Sequence, residues 1–394
     1  MAEMDAMTSP QEIAADEARE RRRKGRARKP RVAIVLFNLG GPDKPESIRP
    51  FLYNLFADPA IIRAPAPIRQ MLAALITWRR TPIAAENYAV LGGKSPLLEL
   101  TEEQAAALSR ALSGELDVKT FVCMRYWHPM SDETARAVRA WGPDEVVLVP
   151  LYPQFSTTTT GSSLDAWRDA AARAGLVAPT KVLCCYHSDP GFVAATAAMV
   201  KESYIKARAE TDPAIPLRVL FSAHGLPESI VLKGDPYQWQ VERTVEAVVE
   251  AMQADGPIAD FDHVVCYQSR VTPQKWIGPS TEEELKRAGA DKVAVLVVPI
   301  AFVSEHSETL VELDVEYREE AEEFGVPAYF RTPAQNSDPG FITALADLVR
   351  HARAEERSLC SFRGPRTCPR AAKDCPHASR GHATAGRAVM AEPE

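Results

Sequence analysis

Between residues 297 and 317 the chain reads VVPIAFVSEHSETLVELDVEY and changes character halfway along. Residues 297–303 read as a buried strand. From Ser304 onward helix formers take over, and Glu308, Glu312 and Glu316 recur every four residues, with His306 just ahead of them. That spacing puts three carboxylates on one side of a helix. A carboxylate row beginning where an apolar strand ends suits an open α/β sheet, in which ligands bind outside the carboxyl ends of the strands. Taken alone, the row also reads as a solvated acidic helix face, so a site requires other groups to converge on it.

The rest of the chain supplies the sheets. Apolar strands in VAIVLF, KTFVCM, EVVLVP, KVLCC, LRVLFSA, DHVVCY and the run from Val293 alternate with helical stretches, among them 131–141, 237–254, 280–288 and 338–356. Such alternation predicts parallel sheets with both faces covered. At 394 residues the chain is long enough for two domains, each with its own core. The expected fold class is α/β, with two Rossmann-like domains over residues 31–200 and 201–356, each a parallel sheet flanked by helices. The two are alike in architecture, with no residue-level repeat between them. Residues 1–30 end in the basic run ARERRRKGRARKP. They read as a disordered arm, with anionic lipid or RNA as the functional alternative. Residues 357–394 are dominated by Pro, Gly, Arg and Ala and read as a disordered tail that contains cysteines.

A net charge of −7 gives no general argument for nucleic acid, and no apolar run approaches the length that spans a bilayer. Seven cysteines, one adjacent pair (Cys184, Cys185) and no amino-terminal apolar signal region point to free thiols in a reducing cytoplasm. The segment holding Ile61, Ile62, Ile68, Met71, Leu72, Leu75, Ile76 and Trp78 is apolar on much of its circumference, broken by Pro65 and Pro67 and bounded by Arg79 and Arg80. It reads as core, or as a hydrophobic lip beside a pocket or on a membrane surface.

Two turns invite a ligand. The first strand runs into Gly40, Gly41 and Pro42, which lack the third glycine of a dinucleotide fingerprint, and Pro42 removes a donor that a phosphate cradle needs. The glycines are instead expected to let a large flat ligand approach the backbone. Residues 157–163, hydroxyl-rich and glycine-containing, are either a helix cap or a carboxylate or phosphate site. His224 stands at the carboxyl end of an apolar strand, ahead of Gly225 and Pro227. There an imidazole accepts a proton near neutral pH or ligates a borderline metal, or is simply a histidine bonded in a turn. The strand-end rule puts His224 and Glu308 on one rim. One His and one Glu fall short of a structural metal site and suit a metal that is a substrate.

LFSAHGLPESIVLKGDPY and VVPIAFVSEHSETLVELDVEY are similar to the signature segments of the ferrochelatases, which insert ferrous iron into protoporphyrin. VLFNLGGP, RRTPIAAENYAVLGGKSPL, MRYWHP, YPQFSTTTTGSS and YQSRVTPQKWIGPSTEE agree in order, so that the resemblance covers residues 32–354. It implies two chelatase-type domains with a porphyrin cleft between them, His224 and Glu308 as catalytic and metal-handling residues, and Glu312 and Glu316 as an acidic track on a helix with a wide turn. It also implies that Arg80, Tyr88, Ser95, Arg125, Tyr126, Tyr152 and Trp276 surround the porphyrin. His224 is then the base for the two porphyrin N–H protons, and Glu308 faces it across a gap wide enough for a tetrapyrrole.

The implied partners are protoporphyrin IX and ferrous iron, without nucleic acid, in a cytoplasmic monomer or homodimer that touches the inner membrane through its lip. Cys360, Cys368 and Cys375 resemble the carboxyl-terminal cysteines by which animal members hold a [2Fe–2S] cluster, but are spaced more widely, and Thr157 stands at the position of the fourth. Cys184, Cys185 or His377 are the candidate substitutes. The expected reading is a disordered tail and no cofactor beyond the substrate Fe2+. Competing readings are a chelatase for another tetrapyrrole or for cobalt, a non-catalytic porphyrin binder, and a nucleotide-dependent enzyme.

Overall fold

A computed structural model of the chain describes residues 28–254, 256, 258, 261–270 and 274–378. Residues 1–27 of the basic arm and 379–394 of the tail lie outside them. Arg28, at the start of the described chain, is paired with Asp144 at 2.8 Å, and Lys29 donates to the carbonyls of Ser113 and Gly114.

Among the described residues nine strands form two sheets. β1 (Arg31–Asn38), β2 (Asp117–Met124), β3 (Glu145–Pro150), β4 (Thr180–Leu183) and β9 (Leu359–Cys360) make one, in the order β2-β1-β3-β4-β9. β5 (Leu217–His224), β6 (Asp262–Gln268), β7 (Ala294–Pro299) and β8 (Tyr329–Arg331) make the other, in the order β6-β5-β7-β8. Every pairing is parallel. The second sheet thus repeats the order of the first four strands, and both are flanked by helices as the alternation predicts.

The repeat extends to residues, contrary to the expectation of likeness in architecture alone. Helix Pro190–Glu210 opens on Ser188-Asp189-Pro190-Gly191-Phe192, and helix Pro339–Ala354 on Ser337-Asp338-Pro339-Gly340-Phe341. In each the Asp side chain caps the helix by accepting from the Phe amide at 2.9 Å, and Pro occupies the first turn, where its missing N–H costs nothing. The two helices cross where these glycines lie. A Cβ on Gly191 would stand 2.9 Å from the Cβ of Ala344, and one on Gly340 would stand 3.3 Å from the Cβ of Ala195, so backbones approach where only small residues fit.

At that crossing the inner faces of both sheets share one core, while each sheet keeps a cluster of its own on its outer face. Along β1 the side chains alternate: Val32, Ile34 and Leu36 face a core shared with Val219, Phe221 and Ala223 of β5 and Leu296 and Val298 of β7. Ala33, Val35 and Phe37 face the outer helices beside Trp167 and Ala170. Helix Pro339–Ala354 returns to the first sheet, touching helix Leu97–Leu112, β3 and β4, and β9 then joins the edge of that sheet. A division into residues 31–200 and 201–356 therefore cuts through elements that the halves exchange. The tail is also not disordered through residue 378: Cys360 lies in β9, and Cys368, Ala372 and Cys375 are buried beside Trp239.

Buried polar groups fasten the halves. Asp235 Oδ2 accepts from Ser156 Oγ and from both N and Oγ1 of Thr157, while its Oδ1 accepts from Tyr237 N. Gln104 donates to the carbonyls of Val303 and Asn336 at 2.9 Å. Replacing Asp235 by Ala leaves several buried donors unpaired, and we expect a loss of about 3 kcal/mol, read as a lower urea midpoint with an unchanged slope.

Candidate active site

His224 is the last residue of β5 and pairs in register with Gln268, the last of β6, while Ser222 pairs with Pro299, the last of β7. Strand ends therefore gather the site at one rim. The Nδ1 of His224 lies 2.6 Å from the Gly225 carbonyl, to which it donates, so that Nε2 is the ring nitrogen facing the site. Nε2 points to Glu308 Oε1 at 3.8 Å. Tyr237 holds the backbone from behind, its hydroxyl donating to the His224 carbonyl at 3.0 Å.

Glu308 lies in the short helix Ser307–Leu310, after which the chain widens into a π-turn over Glu312–Glu316 and resumes as helix Tyr317–Glu323. The Val311 carbonyl takes the amides of both Val315 and Glu316, which is the mark of the wider turn. A regular helix, as the spacing suggests, is thus replaced by the widened one that the family resemblance implies. Arg331 braces this segment, reaching Asp314 at 2.7 Å and Glu305 at 2.9 Å.

The carboxylates differ in environment. Burial works against the Glu308 charge, but His224 and His306 outweigh it and hold the carboxyl down to about 2. Burial, followed by the Glu308 charge, pushes Glu312 up, against donors from Ser269 and Gln268. Glu316 accepts from Asn87 of the lip helix at 3.0 Å. Glu320, one step further out, is pushed up to about 7 by burial and by Glu282, Glu316, Glu312 and Glu323.

The expected slot between His224 and Glu308 is not there. A flat ring sandwiched between two groups needs about 7 Å, and the pair stands 3.8 Å apart. A small cation about 2 Å from each of a nitrogen and an oxygen ligand fits that spacing. At that separation no macrocycle stands between the two side chains in this structure.

The residues expected around the porphyrin divide into two groups. Tyr88 is buried on helix Ala66–Val90 and its hydroxyl lies 3.4 Å from Ser307 Oγ, next to the acidic track; burial raises its pKa to about 12. Trp276 bridges to Pro227 and covers Gly225, directly after His224. Arg80 is half-buried on the same lip helix as Tyr88. At the end of the first sheet, Asp58 Oδ2 is met by Arg125 at 2.8 Å, by Tyr126 Oη at 2.8 Å and by Ser162 Oγ at 2.5 Å. Arg125 and Tyr126 are therefore tied to a buried carboxylate. Tyr152 is half-buried against the outer core of the first sheet, and Ser95 packs on Gly41, where a Cβ would stand 2.5 Å from that of Ser95. The close approach at Gly41 is thus used by the protein's own side chains. Likewise, the carboxylate that the hydroxyl turn receives is the chain's own Asp235.

Sequence reasoning gave no role to His306, whose Nε2 is 3.6 Å from Glu308 Oε2, nor to Gln268, Ser269, Asp58 and Asp235. Only His306 had a local signal, its place inside SEHSE. The others become visible when distant strands meet.

All seven cysteines are free and buried. The proposed trio separates: the Cys360 thiol donates to the Val182 carbonyl in the shared core. Cys368 and Cys375 instead adjoin each other, Cys368 taking a bond from Gln240 at 3.0 Å, and both lie near the vicinal Cys184 and Cys185, whose sulfurs are 3.4 Å apart. Within each pair one thiol is favoured as thiolate: Cys184 draws Cys185 down, against burial, and Cys368 does the same for Cys375. His187 Nδ1 and His377 Nε2 are buried without a partner. The four thiols match the ligands of an iron–sulfur group in kind and number, while among the described residues no three or more His, Cys, Asp or Glu side chains are grouped so as to hold a single metal ion.

Because the folded value of Glu320 lies above the ordinary 4.5, the folded chain binds that proton more tightly than the unfolded one. Its contribution is present at low pH and is lost as pH rises through about 7. Glu320→Gln should therefore gain about 1–2 kcal/mol at pH 8, after allowance for solvent screening, and nothing at pH 4, as read by urea titration at the two pH values.

Residues 31–353 match the family model described as Ferrochelatase. The chain is 53% identical over 340 residues to the ferrochelatase of Caulobacter vibrioides (strain NA1000 / CB15N), covering 84% of this chain and 94% of that protein. It is 48% identical over 353 residues to the ferrochelatase of Hyphomonas neptunium (88% and 95% covered) and 49% identical over 318 residues to that of Wolbachia sp. subsp. Drosophila simulans (80% and 98% covered). With His224 and Glu308 meeting at the rim where the sequence resemblance puts the active site, the chain belongs to the ferrochelatase family.

Proposed function

We propose that the chain inserts ferrous iron into protoporphyrin IX to form protoheme, releasing two protons, with His224 and Glu308 as the reacting pair. The observation that carries this reading is the 3.8 Å approach of His224 Nε2 to the Glu308 carboxylate at the strand ends. A porphyrin loses two N–H protons before a divalent metal enters, and His224 Nε2, the ring nitrogen not held by the Gly225 carbonyl, is placed to accept one. Glu308 is charged, so it attracts iron or takes the proton onward. His306 keeps it so. Glu312 and Glu316 continue the path away from the ring.

The macrocycle lies on one side of this pair, walled by Tyr88 and Trp276, with Arg80, Ser95, Arg125, Tyr126 and Tyr152 lining the first-half side. The lip helix meets the second half through Tyr88 and Asn87, so porphyrin enters by lifting that helix. On its outer side Ile68, Met71, Leu75 and Trp78 recur at helical spacing with 48% to 67% exposure, next to Arg79 and Arg80. Among the described residues no helix is long and apolar enough to cross a membrane. The stripe suits a protein resting on the cytoplasmic face of the inner membrane, from which an apolar substrate would arrive.

Mixing the protein anaerobically with ferrous iron and protoporphyrin should give the visible spectrum of metallation. His224→Ala and Glu308→Gln should each lower kcat more than about a hundredfold while porphyrin binding, followed by fluorescence, persists. Parental rates in either variant remove that residue from the mechanism.

A second reading concerns the buried thiols. Cys184, Cys185, Cys368 and Cys375 form the set that would hold a [2Fe–2S] cluster, which supplies structural cross-linking and one-electron chemistry when bound. Protein reconstituted anaerobically should carry about two acid-labile sulfides per chain, lost in Cys368→Ser and Cys375→Ser and kept in Cys360→Ser. Sulfide absent from the parent, or retained in Cys368→Ser, would exclude this assignment.

A further inference from the structure

Three donors hold the carboxylate of Glu312. Ser269 Oγ at 2.5 Å and Gln268 Nε2 at 3.0 Å both reach Oε2, and Tyr317 Oη reaches Oε1 at 3.3 Å. Gln268 is fully buried and spans the site: its Oε1 accepts from Ser222 on the His224 strand, and its Nε2 also reaches the Glu308 carbonyl. Consecutive side chains of a strand point to opposite faces, so an extended continuation of β6 would send Ser269 away from the carboxylate that Gln268 touches.

The backbone resolves this. Ser269 has φ +65°, in the left-handed region, where serine is strained and glycine is not. The other described non-glycine residues with positive φ have ordinary reasons: Lys292 ends a helix and Asn336 is a residue type that tolerates the conformation. At Ser269 the left-handed turn swings two neighbouring donors onto one oxygen. A residue kept in a strained conformation that glycine would relieve points to a need for its side chain.

We propose that Ser269 is a positioning residue for the reaction: it fixes Glu312 so that a proton leaving Glu308 meets an acceptor of set orientation. The proposal rests on the chelatase reading of the acidic track. It separates two properties that a structural residue would change together. Ser269→Gly removes the hydroxyl and relieves the strain, whereas Ser269→Ala removes the hydroxyl and keeps the strain.

In the full chain, kcat for iron insertion should fall at least about tenfold in both variants, with KM for porphyrin held within about twofold. The thermal midpoint of Ser269→Gly should equal or exceed that of the parent and lie above that of Ser269→Ala. Parental kcat in Ser269→Gly overturns the proposal, as does a loss of kcat that follows the midpoints, with the glycine variant spared. A parent protein that metallates no porphyrin overturns the chelatase reading itself, which these two outcomes do not.

Discussion

The close crossing of helices Pro190–Glu210 and Pro339–Ala354 is the constraint on which the rest depends. Glycine and alanine at the contact let the two backbones approach, and the repeated Asp-Pro-Gly-Phe starts cap both helices identically. Each helix leaves the sheet it follows and packs across the other half, so the inner faces of both sheets close on one core. Two separate cores would leave the halves free to shift. A shared core does not, and the strand ends carrying His224, Gln268 and the acidic turn are fixed relative to the lip and to Asp58.

Within that frame the site is an electrostatic arrangement under low dielectric. Burial disfavours the charge on Glu308, Glu312 and Glu320, and the protein offsets this unequally. Glu308 is given imidazoles and stays ionised; Glu312 is given neutral donors and holds its proton more tightly; Glu320 is given like charges and titrates near neutrality. Proton affinity thus rises from Glu308 to Glu312, the direction in which protons taken from a porphyrin need to travel. The π-turn over Glu312–Glu316 widens the helix that carries the carboxylates, so that the Val311 carbonyl takes two amides instead of one.

The carboxyl-terminal segment belongs to the same construction. Asp374 donates its amide to the carbonyl of Gly234, Cys368 meets Gln240 and Cys375 lies beside Trp239. These partners lie in the loop after His224 and in the helix that follows it, whose first residue, Tyr237, bonds the His224 carbonyl. A thiol-rich tail is therefore connected to His224 through a few buried contacts, although it lies outside the stretch that matches the family.

Much was legible in the chain itself. Apolar runs buried on both faces gave the parallel strands, because burial on both sides demands continuous hydrophobicity. Signature segments around His224 and Glu308 pointed to a pair that the structure brings together, since each lies where a strand visibly ends. Tertiary structure decided what depends on groups far apart in sequence. Asp58 meets Arg125, Asp235 meets Thr157 and Ser269 meets Glu312 only after the sheets assemble, and no local pattern encodes such pairings. The separation of Cys360 from Cys368 and Cys375 has the same origin: strand pairing with β4 turns that thiol into the core. Spacing along a chain names candidate ligands, but the distance between an imidazole and a carboxylate, a cation's width and not a porphyrin's, is set by the packing of the elements that carry them.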